Sequence, residues 1–478
     1  MHKSANSGND TFQDEFHVNC KWLRKATEAE CEMEEVYLRG HRLWYQLDLS
    51  SLKPLQDDHV RRALGHLYKK APNLAVTFAK REGELWAKRT TSGAIDFQVV
   101  KHETLEEVRS SLHRYNFNDK IAPTLCARLL EDKTTNAAGV NELEPSFPYK
   151  YHLVFGIRHS VVDGTSTMTL MGYFIKLLND VISGASVDNG VPLGRFLSNE
   201  ETLKLILEKK KEIEGEAQLL QQLQDEFQYK KEIKPLVLKL SKEPQFSKRT
   251  ATIFTVLNQT TTRSFIAKCH SENVTINSMM TALINRAIVE LFVEEDILQD
   301  CYKIQTFHAV NLRRYWSSTE VSETLGCHIG FPLIVNAETP RDLQSCFWEY
   351  AKNLHARFKE DLASGKILQN EAYKMMQLSK DESHDGHTHV PNDYAGDYVT
   401  SSMGDVTRLV TTGGDNVRIT NVLRSTSIHG TEFPLLFNYH TFRNRLTLGF
   451  DYNTDVLDTD TAGRIQSKII MHLKELIS

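Results

Sequence analysis

A histidine and an aspartate four residues apart have the types and spacing to do chemistry. They lie in the segment His159-Ser-Val-Val-Asp163, which Gly164 follows directly. A neutral imidazole takes up a proton near neutral pH, so His159 could act as a general base on an attacking hydroxyl or amine. A glycine at the next position leaves space beside such a site. The spacing therefore predicts proton transfer at this turn.

Two elements must position the turn. The apolar stretch Leu153-Val-Phe-Gly-Ile157 predicts a buried strand. Behind the turn, Thr165-Ser166 offers a cap, and apolar residues recur at helical spacing to about Ile182. A helix N-terminus favours a developing negative charge beside it. Another interpretation stays open, in which His159 is an ordinary hydrogen-bonded histidine at a sheet edge and the aspartate only a cap.

The same bare spacing occurs again in His389-Val-Pro-Asn-Asp393. A proline inside this copy and polar residues around it predict a loop, over 380–397. The loop also carries His384, Asp385 and His387, and such side chains are common metal ligands. Because no predicted helix or hairpin would fix their geometry, we expect a surface loop and no metal site.

Composition limits the partners and the compartment. The chain has 478 residues, a net charge of −5 and a sequence pI near 6.5, which predict no surface for nucleic acid or anionic lipid. Its seven cysteines are scattered, as reduced thiols are in the cytosol. The N-terminus is polar, and no apolar run reaches the roughly 18 residues of a membrane span. We expect a cytoplasmic monomer without a membrane span.

The segment from Val154 to Ser166 resembles the active-site segment of the CoA-dependent acyltransferase superfamily. That group includes chloramphenicol acetyltransferase, alcohol acetyltransferases, BAHD acyltransferases and the condensation domains of peptide synthetases. Three further stretches are similar to the same superfamily: Val274-Thr-Ile-Asn277, Asn311-Leu-Arg313 followed by Leu325-Gly326, and Tyr398 to Val406. The BAHD signature Asp-Phe-Gly-Trp-Gly is absent.

The resemblance implies an α/β fold of two chloramphenicol-acetyltransferase-like subdomains, each a mixed β-sheet flanked by helices. The active site would lie at their interface. We predict a disordered N-terminus over 1–15, an N-terminal subdomain over 16–184, a crossover linker with one amphipathic helix over 185–247, and a C-terminal subdomain over 248–478.

The resemblance also implies roles for single residues. His159 would be the general base, and Asp163 would hold the turn in shape by pairing with Arg313. Gly164 would leave room for the thioester. Ser402 would donate to the oxyanion, although it could equally be a plain serine of the sheet. The co-substrate would be an acyl-CoA, acetyl-CoA in the first instance, and the acceptor a small molecule with a hydroxyl or, less favoured, an amine.

Three rival hypotheses remain. The chain could be a condensing enzyme fed by a carrier-protein thioester, although it contains no carrier domain. It could be an inactive relative that serves as a binding module, against which the intact histidine, aspartate and glycine argue. A more remote alternative is an acyl-enzyme on Cys269 or Cys327, which no motif places beside the histidine.

Overall fold

The structure is a computed structural model, and it describes nine stretches of the chain: 21–89, 95–117, 124–133, 143–196, 200–232, 234–241, 249–317, 324–378 and 394–478. The N-terminus predicted to be disordered lies outside the described residues, as do residues 380–393 of the histidine-containing loop.

The described residues form strands and helices in an irregular alternation. The strands are β1 Lys21–Lys25, β2 Leu43–Ser51, β3 Val76–Arg81, β4 Glu84–Arg89, β5 Asp96–Val99, β6 Leu125–Glu131, β7 Tyr149–Ile157, β8 Arg195–Phe196, β9 Thr250–Val256, β10 Cys301–Asn311, β11 Thr324–Leu325, β12 Ile329–Pro340, β13 Tyr398–Asp405, β14 Val417–Thr426, β15 Leu435–Phe442 and β16 Arg445–Asn453. The helices are α1 Glu28–Leu38, α2 Asp57–Lys70, α3 Leu105–Leu112, α4 Gly164–Ile182, α5 Glu200–Gly215, α6 Ala217–Glu232, α7 Gln259–Ser271, α8 Ile276–Glu294, α9 Phe347–Ser364, α10 Lys366–Leu378, α11 Thr407–Val410 and α12 Thr459–Glu475.

Two large mixed sheets organise these elements. One has five strands in the order β14-β2-β7-β6-β5, and the other has six in the order β12-β10-β13-β15-β16-β9. Helices α2 and α4 share one apolar core with the first sheet. Helices α8, α9 and α12 share a second core with the other sheet. The predicted fold class, with two α/β lobes, is confirmed.

Strand β14 crosses between the two lobes. It comes late in the chain, yet it pairs antiparallel with β2 at the edge of the first sheet, with Leu423 opposite Gln46. Its side chains meet the second sheet: Arg424 Nη1 donates to Ser401 Oγ at 2.8 Å, and Ser425 Oγ donates to Asp451 Oδ1 at 2.5 Å. The predicted limits of the subdomains stay predictions. Strand β14 belongs to the predicted C-terminal subdomain by its residue numbers, but it is an edge strand of the first sheet.

Two predicted helices are each divided. The crossover segment, predicted to hold one amphipathic helix, contains α5 and α6, which are separated at Glu216 directly after Gly215. The sequence of the stretch 341–375 predicts one long helix, but the structure has α9 and α10 there, with Gly365 between them at φ +71°. Glycine adopts this left-handed conformation without steric cost, and it commonly ends a helix. The sequence-based prediction missed this stop signal.

Helix α8 is the only described helix that is long and apolar enough to cross a membrane. It has 19 residues, but 78% of its apolar window is buried inside the protein. Its apolar side chains are part of the core of the second lobe. Burial in this core accounts for the apolar composition of α8.

Candidate active site

A strand, a tight turn and a helix hold the predicted histidine. The last five residues of β7 are buried, and a short 3₁₀ turn follows over His159–Val161. Asp163 is the N-cap of α4, and its Oδ1 accepts a hydrogen bond from Ser166 N at 2.8 Å. A side-chain cap satisfies one of the unpaired amides at a helix start, which fixes where the helix begins. The turn is therefore anchored at both ends.

Hydrogen bonding sets the tautomer of His159. Its Nδ1 lies 2.9 Å from the carbonyl oxygen of Val162. A carbonyl oxygen only accepts, so Nδ1 must carry the hydrogen and Nε2 is left with the lone pair. Burial lowers the pKa of this histidine below its usual value, and the bond to Val162 and the charge of Asp163 only partly offset that shift. The ring is therefore a neutral base at neutral pH, with Nε2 as its accepting atom.

Asp163 and Arg313 form a buried ion pair. Arg313 Nη1 donates to Asp163 Oδ2 at 2.5 Å, and each side chain is only 1% exposed. Burial by itself would raise the pKa of the Asp163 carboxyl, but the charges of Arg313 and His328 and the hydrogen bonds lower it overall. The aspartate is thus ionised, with its oxygens directed at partners that hold the turn.

A loop from the second lobe closes around this pair. The backbone N–H of His328 donates to Asp163 Oδ2 at 2.9 Å, and Arg313 Nη2 donates to the carbonyl of Thr324 at 3.1 Å. Ser166 Oγ donates to the carbonyl of Gly326 at 2.8 Å and accepts from its N–H at 3.0 Å. The two lobes are therefore joined directly beneath the histidine turn.

The sequence analysis missed a second support of the same turn. Glu34, on α1, is buried and accepts from Arg158 Nε at 2.8 Å, and it also accepts from the hydroxyl of Ser160. Arg158 and Ser160 are the two residues that flank His159 in the chain. The acidic partner lies 124 positions away from Arg158. No local spacing could have indicated this contact.

A second histidine, also missed, lies against the first. The rings of His41 and His159 are stacked with their centroids 5.4 Å apart and 24° between their planes. His41 Nδ1 lies 3.1 Å from the carbonyl of Ser427, so this nitrogen too carries the hydrogen. Burial, and then the neighbouring His159, lower the pKa of His41 to about 3. His41 is therefore a neutral, fixed ring that limits how the general base can turn.

A methionine occupies the space beside Gly164. A Cβ added at this glycine would lie 2.9 Å from Met403 Sδ and 3.1 Å from its terminal methyl carbon. Met403 belongs to β13 of the second lobe. The glycine thus admits this flexible side chain next to the turn, and the role of Gly164 in making room for a thioester stays a prediction.

Ser402 precedes that methionine on the same strand. Its side chain is exposed, and Tyr439 of β15 is its partner in the parallel ladder. Met403 is the residue of β13 that meets Gly164, and the register with β15 shifts between Ser402 and Asp405. The structure brings His159, Asp163, Gly164 and Arg313 together, and Ser402 lies on the neighbouring strand β13, one residue before Met403. Its role as an oxyanion donor stays a prediction.

The two cysteines of the acyl-enzyme alternative are poorly suited to it. Cys269 is buried in α7, and burial raises the pKa of its thiol to about 12. Cys327 is buried as well, and desolvation followed by the charge of Asp163 raises its pKa well above the usual value. Because the thiolate is the nucleophilic form, neither sulfur is activated at neutral pH.

Comparison with protein families gives one match, which covers 181 of the 478 residues. Residues 247–427 match the family described as phthiocerol/phthiodiolone dimycocerosyl transferase C-terminus. No curated protein sequence matches the chain.

Solved structures of similar fold cover nearly all of the chain. Trichothecene 15-O-acetyltransferase from Fusarium sporotrichioides superposes with a TM-score of 0.66 and 14% identity, over 96% of this chain and 95% of that one. The condensation domain of the monacolin K polyketide synthase gives a TM-score of 0.62 at 10% identity, over 96% and 98%. Polyketide synthase associated protein 5 from Mycobacterium tuberculosis gives 0.62 at 14%, over 96% and 100%. At such identities the likeness establishes the fold.

Proposed function

Because the chain has the fold of the CoA-dependent acyltransferase superfamily, which confirms the resemblance seen in its sequence, we propose that it transfers an acyl group from acyl-CoA to a small molecule. The acyl group is acetyl or another short chain. The acceptor is a hydroxyl in preference to an amine. One observation carries the proposal: the tautomer of His159, whose Nε2 is left as the proton acceptor by the bond from Nδ1 to Val162.

The reaction follows from that tautomer. Nε2 takes the hydroxyl proton as the acceptor oxygen attacks the thioester carbonyl, and the carbonyl oxygen becomes an oxyanion. The C–S bond then breaks, and the imidazolium returns its proton to the departing sulfur, which leaves CoA as a thiol. Because the pKa of His159 is lowered, the imidazolium gives this proton up readily. Ser402 is the proposed donor to the oxyanion.

Asp163 has a positioning role in this proposal. Both of its carboxylate oxygens are engaged, by Ser166 N and by Arg313 and His328 N, and they are directed into the joint between the lobes. The carboxylate therefore shapes the turn and does not touch the reacting atoms.

The test is release of CoA thiol from acetyl-CoA in the presence of a panel of alcohols and amines, with the acylated products identified by mass. Acceptor-dependent release supports the proposal. The likeness to condensation domains favours one second candidate, a condensing enzyme that takes its acyl group from a carrier protein. Transfer from an acylated carrier protein but not from acyl-CoA would favour that candidate. Tight binding of acceptor with no turnover from either donor would favour an inactive binding module.

A further inference from the structure

A basic cavity opens at the seam between the two lobes, close to the stacked histidines. It has a volume of about 190 Å³. Its walls come from the first lobe, at Arg42 and the end of α3, and from the second lobe, at the start of β9 and the residues after β14. No acidic residue of the described chain lines it, although the protein as a whole carries a net charge of −5.

Three arginines supply the charge. Arg42 is buried, and its guanidinium donates to the carbonyls of Tyr37 and Tyr115 and to the amide oxygen of Asn116, all of them uncharged. Arg114 and Arg249 are exposed at the rim. Neither rim arginine has an ion pair with any residue in the described parts of the chain. Glu34 lies near Arg42, but it is engaged by Arg158 and Ser160.

His113 adds a buried ring nitrogen to the wall. Its Nε2 lies 2.9 Å from the indole nitrogen of Trp44 and 2.8 Å from Ser425 Oγ. Because the indole N–H can only donate, Nε2 accepts and the hydrogen of the neutral ring is on Nδ1. The side chain is 7% exposed, and Nδ1 is buried with no hydrogen-bond partner in the described chain. The backbone of Thr250 also interacts with the ring and partly offsets the lowering of the His113 pKa by burial. A buried donor without an acceptor is costly, and a bound oxyanion would satisfy it.

The cavity is adjacent to the general base. Ser427 lines it, and the carbonyl of the same residue holds His41, whose ring stacks on His159. A volume of about 190 Å³ is below the roughly 300 Å³ at which pockets for whole drug-sized ligands begin. It suits one small charged group and not the entire nucleotide of coenzyme A.

We infer that this cavity binds an oxyanion, a carboxylate or phosphate, carried by the acyl acceptor, while the acceptor hydroxyl reaches His159. The inference rests on the proposed function for the identity of the ligand, but the anion site itself does not. Charge-assisted hydrogen bonds from arginine favour such groups. Arg114 and Arg249 lie outside the residues that hold the histidine turn.

Calorimetric titration of the full chain with inorganic phosphate and with acetate at low salt tests the site. The double variant Arg114→Gln/Arg249→Gln should bind the preferred anion about tenfold more weakly than the wild type. The control Arg62→Gln removes an exposed arginine on α2, which lies 3.8 Å from Asp58 Oδ2. This variant should bind the anion as the wild type does. Failure of the wild type to bind either anion, or equal binding by the double variant, would overturn the inference.

Kinetics test the source of the anion. Among accepted alcohols, KM for a hydroxycarboxylate should rise about tenfold in the double variant, whereas KM for its methyl ester should stay the same. If the double variant instead weakens binding of CoA and leaves acceptor KM unchanged, the assignment to the acceptor is wrong. Anion binding without any acyl transfer would sink the proposed function and leave the site standing. Acyl transfer without anion binding would overturn the anion site and leave the proposed function standing.

Discussion

Arg313 Nη1 lies 2.5 Å from Asp163 Oδ2, although the two residues are 150 positions apart in the sequence. Both side chains are buried, so removing one leaves the other as an uncompensated charge. Asp163→Ala should therefore lower the free energy of unfolding by about 3–5 kcal/mol, measured by urea denaturation. Turnover should fall together with the folded fraction.

An exposed pair serves as the control for this prediction. Arg62 Nη1 is 3.8 Å from Asp58 Oδ2 on the surface of α2, and Asp58→Ala should cost less than about 1 kcal/mol. A different result would change the assignment of Asp163. If the Asp163→Ala protein were as stable as the wild type and yet inactive, the carboxylate would have a direct part in the chemistry.

His159→Ala should lower turnover by about a hundredfold or more, because it removes the proton acceptor. The unfolding midpoint should stay close to that of the wild type, since the side chain bonds to the Val162 carbonyl within its own turn. Initial rates of CoA release and a thermal melt measure the two effects. The matched control is His270→Ala, an exposed histidine on α7 that should keep full activity. Near-normal turnover without the His159 imidazole would remove the general-base assignment.

The dependence of kcat/KM on pH should follow the lowered pKa of His159. A general base works only when it is unprotonated. Because the pKa of His159 is below the usual 6.5, the enzyme should stay active at pH values down to that lowered pKa. The acid limb of the profile should therefore lie below pH 6.5 and be absent from the residual rate of His159→Ala. Rates between about pH 5 and 8, with stability checked at each pH, measure it. An acid limb centred above the usual value contradicts the burial of this ring.

Gly164→Ala should place a methyl group against the sulfur of Met403 and displace that side chain. We expect a loss of kcat/KM of about tenfold, because a small misplacement near reacting atoms is costly. Adding Met403→Ala should restore most of the activity if the glycine serves to admit the methionine. If the double variant stays impaired while its thermal stability recovers, the space beside Gly164 is needed by the thioester, as the family resemblance implies.

The elements nearest the histidine could be predicted because local patterns determine them. The apolar spacing of Val60, Ala63, Leu64 and Leu67 predicts a helix from Asp57 to Lys70, and these are the bounds of α2. Helix α4 ends at Ile182 as expected. The alternating segments on either side of Arg443 and Asn444 predict paired strands with a turn at these residues. The structure has this turn between β15 and β16, with positive φ at both residues. These signals are apolar periodicity and turn chemistry, which act over a few residues.

The rest of the site depends on contacts that no local pattern encodes. Glu34 supports the turn from α1, and His41, two residues before β2, stacks on the general base. Each is more than a hundred residues away in the chain. Strand β14 was also missed, since its partner β2 lies at the opposite end of the sequence. Arg313 was found only because the family resemblance supplied a long-range pairing.

The pairing of β14 with β2 of the first sheet has a consequence for synthesis of the chain. Until Val417–Thr426 has left the ribosome, β2 has an open edge with unpaired amides and carbonyls along its length. The first sheet therefore lacks its edge strand until most of the chain has been translated. A nascent chain stalled before residue 417 should need a chaperone to keep that edge from pairing with another chain.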